Sequence, residues 1–316
     1  MSDFLDRLDP DFRDIILSEG PFLFEILRTD VDGARAALDA LFAQMAADTP
    51  EYEGQKDEYH MPGLDGDPDV AVIEYRARDV LYPDCTIIWL HGGGYLMGSV
   101  DDLSAQGYSN LAPVVSVDYR MAPEYRAPAA ARDVCAVIER VAKNRSPRKI
   151  ILAGPSAGGG LAASAALLNR DRGGPEIAFQ LLIYPMLDDQ HDTPSGHMDI
   201  PPSTWTRATS LYAWSLYAEE DGASAYAAAA RATDLTGLPP AYIMCGDLDL
   251  FLDENIAYAN RLRSSGVPVE LAIYPGAPHG FNGFAPRAAV SKRANASIRM
   301  ALEHALSCAR SHFLTG

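Results

Sequence analysis

Positive charge is scarce in this sequence. Its 316 residues include 26 lysines and arginines against 43 aspartates and glutamates, which gives a formal net charge of -17. A surface this acidic repels the phosphates of nucleic acids and the headgroups of anionic membranes. The chain also has no run of about 18 consecutive apolar residues, the length that a membrane-spanning helix needs. We therefore expect neither a nucleic-acid partner nor a membrane partner.

Cysteine is also sparse, and its spacing excludes two kinds of site. The four cysteines, Cys85, Cys135, Cys245 and Cys308, lie far apart, and no two form a C-x-x-C pair. Neither a structural zinc site nor a disulfide framework fits this spacing. The N-terminal stretch, MSDFLDRLDPDF, is acidic and lacks the basic and apolar regions of a signal peptide. Together these features predict a cytoplasmic protein with free thiols and no metal.

The order of apolar segments predicts the fold class. From Val70 onward, short β-branched runs alternate with helical stretches, and several runs are apolar almost throughout. Such strands are typical of a mostly parallel sheet that helices cover on both faces. Seven strands are predicted, at 71–76, 86–90, 114–118, 149–153, 179–184, 241–245 and 269–274. Four helices are predicted in the same part of the chain, at 128–144, 157–169, 253–265 and 287–312.

Two regions interrupt this alternation. Residues 1–48 are predicted to be helical, because the stretch VDGARAALDALFAQM carries apolar residues at helical spacing. Residues 187–238 contain no convincing strand, and their aromatic run TWTRATSLYAWSLYAEE is predicted to form a helix. A long loop without structure of its own is unusual in a compact domain. We therefore predict a cap made of both regions over one α/β domain, which comprises residues 49–186 and 239–316.

The sharpest motif is ILAGPSAGGGLAASAALL, residues 151–168. A predicted strand runs into GPSAG, which satisfies G-x-S-x-G around Ser156, and a helix of small residues follows. This pattern is typical of a nucleophile elbow, in which a serine lies on a sharp strand-to-helix turn. Residues 158–163 also satisfy the dinucleotide pattern G-x-G-x-x-A, but the strand ends too early for that turn. The motif therefore favours Ser156 as a nucleophile.

A second motif, IIWLHGGGYLMGS at 87–99, places three glycines directly after a predicted buried strand. Backbone N–H groups in a glycine run can approach a substrate oxygen closely, because no side chain intervenes. Glycine runs are also common in flexible loops, but this run leaves a core strand upstream of a nucleophile elbow. The pattern favours an oxyanion hole, which stabilises the negative charge that develops on a carbonyl oxygen.

A serine nucleophile needs a base, and the base needs an acid that orients it. Of the seven histidines, His279 alone follows a predicted core strand in a turn-rich setting, YPGAPHGFNGF. Asp249 follows another predicted strand, and the order Ser156, Asp249, His279 is the chain order of α/β-hydrolase triads. Three nearby acids compete for the role of Asp249, namely Asp247, Asp253 and Glu254.

Five motifs in the same order resemble those of the hormone-sensitive-lipase-like family of α/β-hydrolases, in its bacterial carboxylesterase branch. They are HGGG at 91–94, VDYRMAPE at 117–124, GPSAGG at 154–159, LDLFLDE at 248–254 and HGF at 279–281. The resemblance implies an α/β-hydrolase fold, with a helical cap built from the N-terminus and an insertion after the sixth strand. Family members often have Asp where this chain has Pro155. Proline fixes φ and removes an N–H, so we expect a stiffer elbow that stays active.

The resemblance also implies the roles of individual residues. The implied nucleophile is Ser156, the acid Asp249 and the base His279, and the oxyanion hole would comprise the N–H groups of Gly92, Gly93 and Ala157. Substrate contacts are expected from a loop tyrosine and three aromatic residues of the cap, namely Tyr95, Trp205, Tyr212 and Trp214.

The implied function is hydrolysis of short-chain carboxylic esters through an acyl-enzyme, with a small-molecule ester as substrate and no cofactor. Family members often dimerise through an edge strand, which implies a homodimer. The motifs do not separate an esterase from an amidase or a lactonase on the same triad. Plant gibberellin receptors resemble the family but have lost the catalytic histidine, so the presence of His279 disfavours a receptor.

Overall fold

A computed structural model describes residues 2–17, 23–47 and 49–308 of the chain. The strands are β1 (Gln55–Met61), β2 (Val70–Arg76), β3 (Cys85–Trp89), β4 (Val114–Asp118), β5 (Lys149–Pro155), β6 (Phe179–Ile183), β7 (Ala241–Leu248) and β8 (Val269–Pro278). They form one sheet in the order β1-β2-β4-β3-β5-β6-β7-β8. β1 and β2 pair antiparallel, β2 also pairs antiparallel with β4, and the strands from β3 to β8 are parallel. The predicted mostly parallel sheet is therefore confirmed.

The helices of the described residues alternate with these strands from β4 onward. They are α1 (Ser2–Arg7), α2 (Arg13–Ile16), α3 (Leu23–Leu27), α4 (Val31–Ala47), α5 (Leu103–Tyr108), α6 (Ala129–Arg145), α7 (Ala157–Asp171), α8 (Arg207–Tyr217), α9 (Leu252–Ser264), α10 (Phe281–Phe284) and α11 (Ala289–Ser307). The four predicted helices correspond to α6, α7, α9 and α11. The predicted end of the last one, at 309–312, lies outside the described residues.

The edge strand β1 was not predicted. Its sequence, QKDEYHM, is polar almost throughout, and most of its side chains are exposed because it pairs with β2 on one side only. Charged residues are common on edge strands, where they prevent pairing with other chains. A strand of this kind lacks the apolar run by which the interior strands were recognised.

Each face of the sheet has its own apolar core, because side chains alternate between the faces along every strand. In β3, Ile88 points into the core that α6, α7 and α9 cover, and its neighbour Ile87 points into the core that α11 covers. The interior strands are buried on both faces, which explains their apolar sequences. Burial on both faces therefore holds the parallel strands in place, and their carboxyl ends lie together at one edge of the sheet.

The two non-alternating regions meet on one side of that edge. Phe24 of α3 packs against Trp205 of the insertion, with ring centroids 5.3 Å apart, and its carbonyl accepts a hydrogen bond from Thr209 of α8. The first turns differ from the expected cap, since Phe4 and Phe12 are buried in the core beside α11. In the described part of the chain, no helix is both long enough and apolar enough to cross a membrane.

Candidate active site

Ser156 lies between β5 and α7, with backbone angles φ 55° and ψ -121°. This conformation is rare for a residue with a side chain, and such strain is typical of functional sites. The turn brings the Ser156 backbone close to β3, because a Cβ at Gly154 or at Gly158 would collide with the Leu90 carbonyl oxygen. The two glycines of the motif are therefore required because β5 and the first turn of α7 both pass close to the Leu90 carbonyl at the end of β3. Pro155 occupies the last ladder position of β5.

The glycine loop follows β3 directly and faces the elbow. Gly93 and Gly94 have positive φ angles, of 118° and 64°, which a residue with a side chain rarely adopts. A Cβ built on Gly92 would lie 3.5 Å from the Cβ of Ser156. Among the described residues, the N–H groups of Gly92, Gly93 and Ala157 donate to no backbone carbonyl. Ala157 is the first residue of the fifteen-residue α7, where the first N–H groups of a helix lack partners.

The other two candidate triad residues follow the last two strands of the sheet. Asp249 comes directly after β7, and His279 comes directly after β8. His279 Nε2 lies 2.9 Å from Ser156 Oγ, and His279 Nδ1 lies 2.7 Å from Asp249 Oδ2. Asp249 is fully buried, and its Oδ1 accepts a hydrogen bond of 2.9 Å from the N–H of Phe251. When Nδ1 donates to Asp249, Nε2 is free to accept the proton of the Ser156 hydroxyl.

The three acids that compete with Asp249 have other partners. Asp247 accepts a hydrogen bond of 2.6 Å from the N–H of Gly276 in β8, and Asp253 accepts one of 2.8 Å from the N–H of Ser195. Glu254 accepts one of 2.8 Å from the N–H of Leu187, and burial raises the pKa of its carboxyl well above the ordinary value. The geometry therefore brings Asp249 alone of these four to His279.

Two other histidines are buried, but they bond away from Ser156. His91 Nδ1 lies 2.8 Å from the Gly92 carbonyl oxygen, and its ring stacks on Tyr119. His191 Nε2 lies 2.7 Å from Ser210 Oγ, and burial lowers the pKa of the His191 imidazole to about 4. An imidazole held in this way serves the structure of the insertion.

Two aromatic rings that sequence reasoning missed fix the orientation of His279. The ring of Tyr184 lies 5.0 Å from the imidazole at an interplanar angle of 68°, and the ring of Phe251 lies 4.9 Å from it at 89°. Phe251 therefore contacts the base through its ring and Asp249 through its N–H. Phe251 lies within LDLFLDE, but only the fold shows that its ring reaches His279.

A cavity of about 390 Å³ opens above Ser156 and His279. Its apolar wall comes mainly from α3 and α4, through Leu23, Phe24, Leu38, Leu41, Phe42 and Met45. A more polar part of the lining includes Ser99, Asp101, Asp102, Ser104 and Gln106. The apolar residues that recur at helical spacing in the sequence of α4 therefore form part of the cavity lining.

One of the four predicted substrate-contacting residues lines this cavity. Trp205 does so, with its ring so close to Gly94 that a Cβ there would collide with it. Tyr95 is fully buried beside the cavity, where its hydroxyl donates to the Met186 carbonyl and its ring stacks at 3.8 Å on Tyr217.

The remaining two predicted residues, Tyr212 and Trp214, are on α8 and are not among the lining residues. Trp214 is buried against Tyr95, with ring centroids 5.3 Å apart, and Tyr212 packs on the same core. The aromatic face of α8 thus forms the interior of the insertion. Within 2–17, 23–47 and 49–308, no group of three or more His, Cys, Asp or Glu side chains is arranged to hold a metal ion.

Known proteins resemble this chain in sequence and in structure. Residues 87–283 match a family described as having an alpha/beta hydrolase fold. Carboxylesterase NlhH of Mycobacterium tuberculosis is 34% identical over 258 residues, which cover 77% of this chain and 81% of that protein. A bacterial heroin esterase of known structure is 36% identical, with a TM-score of 0.88 over 96% of this chain and 99% of that one. A hyperthermophilic esterase from Pyrobaculum calidifontis is 32% identical, with a TM-score of 0.80 over 94% and 98% of the two chains.

Proposed function

Because the chain belongs to the hormone-sensitive-lipase-like family of α/β-hydrolases, we propose that it is a serine carboxylesterase whose nucleophile is Ser156. The observation that carries this proposal is the chain of hydrogen bonds from Ser156 through His279 to Asp249, at the base of a mostly apolar cavity. The sequence relatives that are named carboxylesterases and esterases support the same reaction class. The chain is a carboxylic ester hydrolase.

The geometry supports an acyl-enzyme mechanism. Ser156 Oγ attacks the ester carbonyl while its proton passes to His279 Nε2, and Asp249 stabilises the imidazolium that forms. The N–H groups of Gly92, Gly93 and Ala157 stabilise the oxyanion. When the tetrahedral intermediate collapses, the bond between the carbonyl carbon and the alkoxy oxygen breaks. His279 donates its proton to that oxygen, and the alcohol leaves. Water then repeats the sequence on the acyl-enzyme and releases the carboxylic acid.

The cavity supports a small-molecule ester with a short acyl chain as the substrate. A volume of about 390 Å³ lies at the lower end of the range for small-molecule sites. We expect turnover to be highest for roughly two to six acyl carbons, because an enclosing wall limits the length that fits. A panel of p-nitrophenyl esters from acetyl to palmitoyl measures this, with matched amide and lactone substrates beside it. An optimum at palmitoyl, or faster turnover of the amide or lactone, would contradict the proposal.

We propose the cytoplasm as the compartment of this enzyme, on the state of its cysteines. All four are free thiols, and Cys85, Cys135 and Cys245 are buried. Reduced thiols are typical of proteins in reducing compartments. Fractionation of the producing cells measures the location, and recovery from the culture medium or the envelope would contradict it.

We also propose a homodimer that forms through β8, the edge strand opposite β1. Ile273 on β8 is 41% exposed and Met300 on α11 is 62% exposed. Unpaired edge strands with apolar side chains pair readily with a second copy. Light scattering on the purified protein should give a dimer, and Ile273→Lys should give a monomer. A monomeric wild-type protein would contradict this proposal.

A further inference from the structure

Arg35 joins the cap to two loops of the α/β domain. Its Nε donates to the Leu96 carbonyl at 2.7 Å, and its Nη2 donates to the Ala122 carbonyl at 2.9 Å. The two terminal nitrogens also bind both carboxylate oxygens of Glu124, at 2.7 and 2.8 Å. A guanidinium is suited to this task, because its planar fork can bind a carboxylate with two parallel bonds and still serve other acceptors.

On the cap side, the Arg35 contact holds a helix that buries few of its own residues. Of the seventeen residues of α4, only Ala34 and Leu38 are buried. Leu38, Phe42 and Met45 follow Arg35 at helical spacing on the same face, and all three line the cavity. The contacts of Arg35 therefore determine the position of this apolar wall of the cavity relative to the α/β domain.

On the other side, the same contact holds the loop that carries the oxyanion glycines. Leu96 is bound to Gly93, whose carbonyl accepts the N–H of Leu96 at 3.2 Å. Ala122 is bound to the same loop, because its N–H donates at 2.9 Å to the carbonyl of Tyr95. One guanidinium thus binds the turn that Gly93 begins, at Leu96, and a second loop, at Ala122, that is hydrogen-bonded to the same turn.

Resting on the proposed function, we propose that Arg35 is a positioning residue that couples the acyl pocket to the oxyanion hole. It fixes the position of α4 relative to the glycine loop. When the acyl chain of an ester lies against α4, its carbonyl oxygen is then aligned with the N–H groups of that loop. Misplacement of reacting groups by about 1 Å can reduce rates a hundredfold. Glu124 completes the contact by orienting the guanidinium, and this pairing lowers the pKa of the Glu124 carboxyl to about 2.

The test compares Arg35→Met, Arg35→Lys and Glu124→Gln with the wild-type protein on acetyl and hexanoyl p-nitrophenyl esters. For Arg35→Met we expect kcat/KM to fall about tenfold on the acetyl ester and about a hundredfold on the hexanoyl ester, with part of the loss in kcat. Arg35→Lys should restore part of the hexanoyl activity, since an ammonium can still reach one or two of the acceptors. Glu124→Gln keeps both carbonyl contacts and should lose about threefold or less.

Arg231→Met is the matched control, because Arg231 binds both oxygens of Asp189 at 2.7 Å and lines no part of the cavity. It should leave the acetyl-to-hexanoyl ratio unchanged. Losses in Arg35→Met that are equal on both esters, or a ratio that shifts equally in Arg231→Met, would overturn the proposal. If Arg35→Met does not fold, the ratio in Arg35→Lys decides by the same criterion.

Hydrogen exchange gives a readout that does not depend on activity. The amides of residues 36–47 and 93–97 should exchange faster in Arg35→Met or Arg35→Lys than in the wild-type protein, and Arg231→Met should leave them unchanged. Unchanged exchange in the Arg35 variants would overturn the coupling even if esters are hydrolysed. A wild-type protein that hydrolyses no ester would instead overturn the proposed function, and the exchange data would still decide the coupling.

Discussion

The helix behind Ser156 and the helix that walls the cavity are built in opposite ways. In α7, every residue from Ala157 to Asn169 is buried, whereas in α4 only Ala34 and Leu38 are buried. A buried helix cannot shift without disturbing a close-packed core, but an exposed helix can adjust at little cost. The reacting groups therefore lie on the fixed, closely packed part of the molecule, and the substrate wall lies on a helix with only two buried residues.

The largest expected effect comes from removing the attacking atom, which lies in the fixed part of the molecule. Ser156→Ala should reduce ester turnover by a factor of about a million, because no other group replaces the attacking Oγ. The melting temperature should stay close to the wild-type value. Ser164→Ala, which removes a buried serine hydroxyl from α7, is the control and should keep its activity. Turnover by pure, folded Ser156→Ala at the wild-type rate would exclude Ser156 as nucleophile.

A smaller effect is expected for a residue of the fixed part that orients a reacting group without itself reacting. Asp249→Asn should lower kcat roughly a hundred- to ten-thousandfold, because an amide no longer holds the His279 imidazole in the required tautomer. Asp253→Asn should cost about 1 kcal/mol of stability and little activity, since Asp253 binds the N–H of Ser195 instead. Kinetic and melting measurements on the pair separate the two roles. The reverse pattern, with Asp253→Asn inactive, would show that the acid is misassigned.

The smallest expected effect on rate distinguishes the cavity wall formed by α4 from the buried core around the sheet. Leu38→Ala removes a side chain from the cavity wall, and we expect the octanoyl-to-butyryl ratio of kcat/KM to rise about tenfold. Leu302→Ala removes a fully buried side chain from α11 and should cost about 2–5 kcal/mol of stability without changing this ratio. Ester panels and denaturant titrations on both variants measure the difference. Identical acyl profiles would mean that α4 does not limit the acyl chain.

The same contrast explains what could be predicted from the sequence. The interior strands were recognisable because burial on both faces demands apolar runs. The proposed nucleophile was recognisable because the close approach of the elbow to the Leu90 carbonyl demands glycine at 154 and 158. The edge strand β1 was not predicted, because its exposed side chains are polar and it therefore has no apolar run.

The two regions outside the strand–helix alternation were predictable as helices but not in their contacts. A helical aromatic face on α8 has the same pattern whether it faces a substrate or the interior. The pattern therefore does not distinguish these cases, and Tyr212 and Trp214 lie outside the cavity lining. The contact of Arg35 with Leu96 and Glu124 joins residues far apart in the chain. No local pattern in the sequence marks such a contact.

Covalent labelling with an organophosphate ester tests the central claim most directly, because stoichiometric reaction requires a serine that a neighbouring base activates. Intact-mass measurement and peptide mapping should find one phosphoryl group per chain, on Ser156, in the wild-type protein. Labelling should be absent in Ser156→Ala and much slower in Asp249→Asn. A folded wild-type protein that stays unlabelled, or a label on another residue, would contradict the account.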